Sequence, residues 1–144
     1  MDFSQFARLQ RRRRDNLPKE VHKVKQETAT VLLTQMVTLV PIDTGTAVSN
    51  FQMDVNSPAD TIIPAHYPGR YRSTADANIS ATIALGKAVI DSSRPGDDLY
   101  LTNHVEYIVD LDNGSSTQAP AGFTQTALLV ARRVIRNAKV VKPR

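Results

Sequence analysis

Asp43-Thr44-Gly45 is the triplet in this chain whose residue types best match a catalytic motif. Aspartic proteases of the retroviral type carry Asp-Thr-Gly, and two such aspartates share one proton because like charges at that distance cannot both ionise. Ile83-Ala84-Leu85-Gly86 loosely echoes their later apolar-glycine element. The surroundings favour a plainer reading. Such a motif belongs at the end of a hairpin in an all-β domain, whereas a long helical pattern and Pro41 precede it here. Pro41 cannot continue a helix without losing a hydrogen bond. Asp43 and Thr44 can bond nearby backbone, and Gly45 can adopt positive φ. The triplet therefore reads as a helix stop and a turn, with a protease as the least favoured function.

The other polar residues form no catalytic constellation. Asp97-Asp98 precede a strand-like run and read as a solvated turn. Asp110 and Asp112 precede Gly114, but an EF-hand loop needs more ligands and a closing Glu, and no Glu follows. His22 lies among charges with no second ligand at helical spacing, so it reads as a surface residue; His104 beside Asn103 reads the same way. There is no P-loop, no G-x-G-x-x-G and no nucleophile elbow. With no cysteine, disulfides and thiolate metal sites are excluded. The residues point to no enzyme, no cofactor and no metal.

Charge is more informative. The chain of 144 residues, long enough for one domain with a core, has a net charge of +4. Residues 1–25 hold eight Lys/Arg against three acidic residues, and residues 127–144 hold six Lys/Arg and no acid. The stretch between them holds four basic and eleven acidic residues. Basic ends on an acidic body suit nucleic acid, acidic protein surfaces, or simple solvation. No apolar run is long enough to span a membrane, and no apolar segment follows Arg11–Arg14 to make a secretory signal.

The elements that must position these residues follow from periodicity. Phe3, Phe6 and Leu9 make a narrow helical stripe ahead of Arg11, Arg12, Arg13 and Arg14, so residues 1–18 read as a basic arm or short helix. Asn16 can cap, and Pro18 suits a first turn, so a new helix is expected from about 19 to 40. Its expected face is Val21, Val24, Val31, Leu32 and Leu39. A strand is expected over 48–55, then a long turn-rich loop over 56–74 carrying His66, Tyr67, Arg70, Tyr71 and Arg72. Aromatic and arginine side chains together suit an interface, and they also suit stacking on bases. A helix follows over 74–89, with Gly86 marking the close approach of another backbone. Leu99–Thr102 reads as a strand, 107–111 as a strand or one helical turn, and about 123–138 as the last helix. Arg132, Arg133, Arg136 and Lys139 crowd its end, where cations complement the helix dipole. The fold class is α+β: a long N-terminal helix, a small mainly antiparallel sheet, and second and C-terminal helices packed on it. The organisation is an arm (1–18), one domain (19–138) and a basic tail (139–144).

Two distant stretches carry a family resemblance. Pro41-Ile42-Asp43-Thr44-Gly45-Thr46-Ala47 followed by Ser49-Asn50-Phe51 is similar to the "P-x-D-T-G-x-A, N-aromatic" signature of bacteriophage tail-completion or head–tail joining (neck, minor tail) proteins. Leu99-Tyr100-Leu101-Thr102-Asn103, Tyr107, Gly114-Ser115-Ser116 and Gln118-Ala119-Pro120-Ala121-Gly122-Phe123 resemble that family's later pattern, in the same order. The resemblance covers roughly residues 19–138. Glu106 stands where the family commonly has Pro, Asp112 stands near its Glu, and Val109-Asp110 replaces small residues, which puts loop geometry in question.

The resemblance implies a structural virion protein with no catalytic residues, which forms a homo-oligomeric ring at the head–tail interface. Six-fold symmetry is preferred, with twelve-fold as the alternative. Its implied neighbours are a portal or head-completion (adaptor) protein and a tail tube or tail terminator protein. Double-stranded DNA would pass through the lumen without sequence-specific contact, and no membrane is involved. Structural motif positions are Pro41, Asp43, Thr44, Gly45, Asn50, Asn103, Tyr107, Gly114, Ser116, Pro120 and Gly122. Expected contact residues are Phe3, Phe6, Arg11–Arg14, Tyr67, Arg70, Tyr71, Arg72, Arg132, Arg133, Arg136 and Lys139. The runner-up is a small basic nucleic-acid-binding protein.

Overall fold

The computed structural model describes residues 2–117 and 121–140. Its first element, α1, runs unbroken from Phe3 to Leu39. Asp2 starts it with a capping box: its carboxylate accepts the Ser4 and Gln5 amides, and its own amide donates to Gln5 Oε1 at 3.3 Å. These bonds, led by the one from Ser4, hold the Asp2 carboxyl below the usual carboxylate range. The restart expected at Pro18, with Asn16 as cap, does not occur; Pro18 lies inside the helix. Pro18 is exposed, so the Arg14 carbonyl that it cannot bond is open to water, and the Arg-, Leu- and Gln-rich flank favours helix. Farther along, the hydroxyls of Thr28, Thr30, Thr34 and Thr38 donate to the carbonyls four residues earlier at 2.7–2.9 Å. Val40 then turns extended ahead of Pro41 and ends the helix.

The buried face of α1 is also rotated from the expected stripe. Leu33 and Val37 are fully buried and His22 nearly so, whereas Val21 is 46% exposed. The reason is that α1 has neighbours on two sides. One side meets α3, which spans Ala75–Ser92, and the other meets α5, which spans Phe123–Asn137. His22, expected at the surface, packs against the end of α3 with Nε2 3.0 Å from the Ser93 carbonyl. Gln26 donates to the Ile90 carbonyl at 3.0 Å beside it. Gly86 admits the Leu33 side chain rather than a backbone: a Cβ there would lie 2.3 Å from Leu33 Cδ2.

The strand expected over 48–55 is divided. Thr46–Ser49 form a short helix, α2, and only Gln52–Val55 form β1. β1 pairs antiparallel with β2, Leu99–Thr102, in the register Gln52↔Thr102 to Val55↔Leu99. Residues 108–112 make one helical turn, α4. The fold is α+β, with α3 lying on β1 and α5 lying along α1 instead of on the sheet. Phe123 joins Val37, Val40, Ile42, Val48, Phe51, Met53 and Ile90 in the core. Ile135, near the other end of α5, lines a groove with Val21, Val24 and Thr28. So α5 runs back antiparallel along α1. Burying each large core side chain contributes about 1.5–3 kcal/mol.

Along the first five turns of α1, none of residues 3–20 is buried. Removing residues 2–17 is therefore expected to change the unfolding free energy of the monomeric body by less than about 0.5 kcal/mol. Urea unfolding of dilute protein checks this, and a drop of several kcal/mol would mean the arm folds onto the body.

Candidate functional site

The two motif stretches meet at the C-terminal end of α1. Gly45, at φ +87°, turns the chain from Pro41 into α2. There the Asn103 side chain donates to the Ala47 carbonyl at 2.9 Å and accepts from the Val105 amide at 3.2 Å. Partial burial raises the Tyr107 phenol above the ordinary tyrosine value, and the Thr46 side chain beside it opposes that rise. Between the stretches lies a cavity of about 240 Å³, walled by Pro41, Ile42, Gly45, Val48, Tyr107, Leu111 and Ser116.

Behind this junction stands Asn78, which the sequence reading did not single out. It is fully buried on α3. Its Oδ1 accepts from Ser49 Oγ at 3.0 Å and from the Tyr67 amide at 2.9 Å. Its Nδ2 donates to the carbonyls of Tyr67 at 2.8 Å and Thr74 at 2.9 Å, and lies 3.1 Å from Thr74 Oγ1. Asn50, at the end of α2, does similar work. It donates to the Thr46 and Ile63 carbonyls and accepts from the Ile63 amide, each at 2.8 Å. A signal for Asn78 existed: Ala75, Asn78, Thr82, Gly86 and Ile90 fall on one helical stripe, and all five are buried.

These bonds pin the 56–74 segment, which has no strand or α-helix but is tied at several points. Gln52 reaches the Thr61 carbonyl at 2.8 Å, and Ser49 Oγ accepts the His66 amide at 3.1 Å. His104 Nε2 lies 2.6 Å from the Ala59 carbonyl. Asp43 clasps the far end. Its Oδ1 accepts the Tyr71 amide at 2.7 Å, and its carbonyl accepts the Arg72 amide at 3.2 Å. Tyr71 and Arg72 both have positive φ, +53° and +62°, which costs roughly 1–2 kcal/mol per residue. The clasp offsets that cost and leaves the Tyr71 ring 89% exposed.

The remaining turn is built around Asp112. Its carbonyl accepts the Gly122 amide at 2.7 Å and its Oδ1 accepts the Thr124 amide at 3.0 Å, so it caps α5. Gly114 and Gly122 take φ of +92° and +86°. Pro120 lies outside the described residues. Asp97, read as a solvated turn, is a clamp: its carboxylate accepts from Asn56 Nδ2 at 2.9 Å and from the Arg94 amide at 2.7 Å. These bonds, Asn56 first, lower its pKa.

The expected contact residues do not form one patch. Tyr67, Arg70, Tyr71 and Arg72 stand beside Asp43 at the C-terminal end of α1. Phe3, 87% exposed, Phe6 and Arg11–Arg14 lie on the arm at its opposite end. Arg132, Arg133, Arg136 and Lys139 are exposed at the end of α5, on the arm's side of the body. Chemically, the junction holds one carboxylate occupied by backbone donors and several carboxamides spent on backbone. Among the described residues no group of three or more His, Asp or Glu is placed to hold a metal ion. Comparison with family models, with curated proteins and with solved structures returns no match to this chain.

Proposed function

We propose that this protein is a structural subunit of the bacteriophage head–tail (neck) interface, assembled as a ring between the portal or adaptor side and the tail. One observation carries the reading. The two stretches that resemble the joining-protein signature, bridged by an Asn103–Ala47 hydrogen bond between residues 56 apart in the chain, converge on one junction through Asn103, Tyr107, Thr46 and Ala47. Their polar residues are spent on holding backbone, which is what a scaffold needs. From that rigid frame project a largely exposed basic arm and a clasped, tyrosine-bearing loop. A ring requires one heterologous contact repeated around an axis, and such projections supply it.

The test is electron microscopy of purified particles carrying an epitope label on this chain, with mass measurement of the chain mixed with portal and tail partners. Label at the neck and a stable complex are expected. Label elsewhere on the particle, or no complex with either partner, overturns the assignment. The exposed Arg8, Arg11, Arg12 and Arg14 favour the second reading, nucleic-acid binding. It predicts DNA binding by the free monomer that weakens steeply with salt; a shallow response removes it.

A further inference from the structure

We propose that the Asn113–Gly114 peptide is a self-modification site, at which Asn113 loses ammonia and the backbone is rebuilt as isoaspartate, loosening the turn that starts α5. Neither the neck assignment nor any partner is required.

The chain has seven asparagines, and one of them precedes a glycine. The carboxamides of Asn50 and Asn78 are buried and spent on backbone, and that of Asn103 bonds the Ala47 carbonyl and the Val105 amide. Asn56 is exposed, yet its side chain is held at both ends: it donates to Asp97 Oδ1 and accepts from the Asp98 amide, each at 2.9 Å. Asn16 and Asn137 are exposed, but Leu17 and Ala138 follow them, and a Cβ on the next residue crowds attack by its nitrogen. Asn113 alone combines exposure, a following glycine and a carboxamide with no hydrogen-bond partner among the described residues.

The chemistry is intramolecular. Hydroxide takes the Gly114 amide proton, and the nitrogen attacks Cγ of Asn113. The N–Cγ bond forms, the Cγ–Nδ2 bond breaks, and Nδ2 leaves as ammonia, carrying through water the proton that Gly114 gave up. Water then opens the five-membered imide. Attack at Cγ gives aspartate; attack at the main-chain carbonyl of residue 113 gives isoaspartate, whose backbone runs through Cβ. Nothing is oxidised or reduced.

The fold gates this reaction weakly. Asn113 sits at φ −80° and ψ −1°, and the Gly114 amide donates to the Leu111 carbonyl at 3.2 Å, so the nucleophile is engaged and held off Cγ. But α4 is one turn long and buries no residue, and such segments open locally at low cost. The product does not fit the turn. The Ser115 amide donates to the Asp110 carbonyl at 3.0 Å, and Asp112 holds the Gly122 and Thr124 amides at 2.7 and 3.0 Å. Gly114 also lies close enough to Ala121 that a Cβ on it would stand 3.1 Å from the Ala121 Cβ. An extra main-chain carbon at residue 113 displaces these partners, and the new carboxylate joins Asp110 and Asp112.

The test is timed incubation of the full-length protein in mildly alkaline and mildly acidic buffer. Peptide mapping follows, with fragmentation that separates isoaspartate from aspartate. The same chain unfolded in guanidinium serves as the reference clock. Loss of the Asn113 amide is expected ahead of the other six asparagines, faster in alkali, slower than in the unfolded chain, and with isoaspartate among the products. The urea midpoint of the aged protein is expected to fall as isoaspartate accumulates. Asn113→Gln, which needs a slower six-membered ring, is expected to keep both its amide and its midpoint through the same incubation. Asn113→Asp, assayed fresh, supplies the charge without the extra carbon and is expected to stay near the wild-type midpoint. An Asn113 amide still intact when the unfolded chain has converted, or another asparagine converting first, overturns the site. Conversion without a fall in midpoint, or an equal fall in Asn113→Gln, overturns its link to α5.

Discussion

Replacing Asn78 by alanine is expected to lower the unfolding free energy by about 3 kcal/mol or more, read as a reduced urea midpoint with the slope unchanged. The substitution removes one buried side chain but strands several groups. The Tyr67 amide and carbonyl, the Thr74 hydroxyl and Ser49 Oγ all lose a partner. Each buried polar group left unsatisfied costs about 1–3 kcal/mol, and rearrangement toward water recovers part of it. Asn78→Asp separates the halves of the carboxamide. It keeps the acceptors for Ser49 and Tyr67 but loses both donors and brings a charge into a buried site, so it is expected to be no milder than alanine. An alanine variant within 1 kcal/mol of wild type would mean that the Tyr67–Thr74 segment is held by something other than this hub.

Gly45→Ala is expected to cost about 2–4 kcal/mol. Part of that is local, because φ of +87° burdens any residue with a Cβ by roughly 1–2 kcal/mol. The rest is overlap, since the added Cβ would lie 2.3 Å from Asn78 Nδ2 and 2.9 Å from its Cγ. Asn78 cannot move aside without giving up its own bonds. The two substitutions should therefore be non-additive. In the Asn78→Ala background the overlap disappears, and Gly45→Ala is expected to cost only its backbone share, a coupling of about 1–2 kcal/mol in a double-mutant cycle. Strict additivity would separate the glycine from the hub.

Periodicity made the simplest elements legible. Leu99–Thr102 alternates and is β2; the alanine-rich run and the Phe123 stripe are α3 and α5. What escaped depended on contacts between distant segments. A helix buried on two sides has no single stripe, so the expected face of α1 missed Leu33 and Val37. His22 looks solvated in the sequence because its partner, Ser93, is 71 residues away. Pro18, expected to open a second helix, sits inside α1, because an exposed position lets water replace the bond that it removes. At the junction, the turn at Asp43–Gly45 follows from residue type alone, but nothing in Asp43 itself announces the Tyr71 and Arg72 amides it holds.

Pro18 has a mechanical consequence. The missing rung between Pro18 and Arg14 lowers bending stiffness at one place, between the turns that bury no residue and the part of α1 clamped by α3 and α5. The tip lies about 22 Å beyond that point, so a bend of roughly 20° sweeps it through about 8 Å while the body stays still. One residue thus acts as a flexure. It gives the arm angular latitude to reach a neighbour at more than one inclination, without loosening the frame from which it extends.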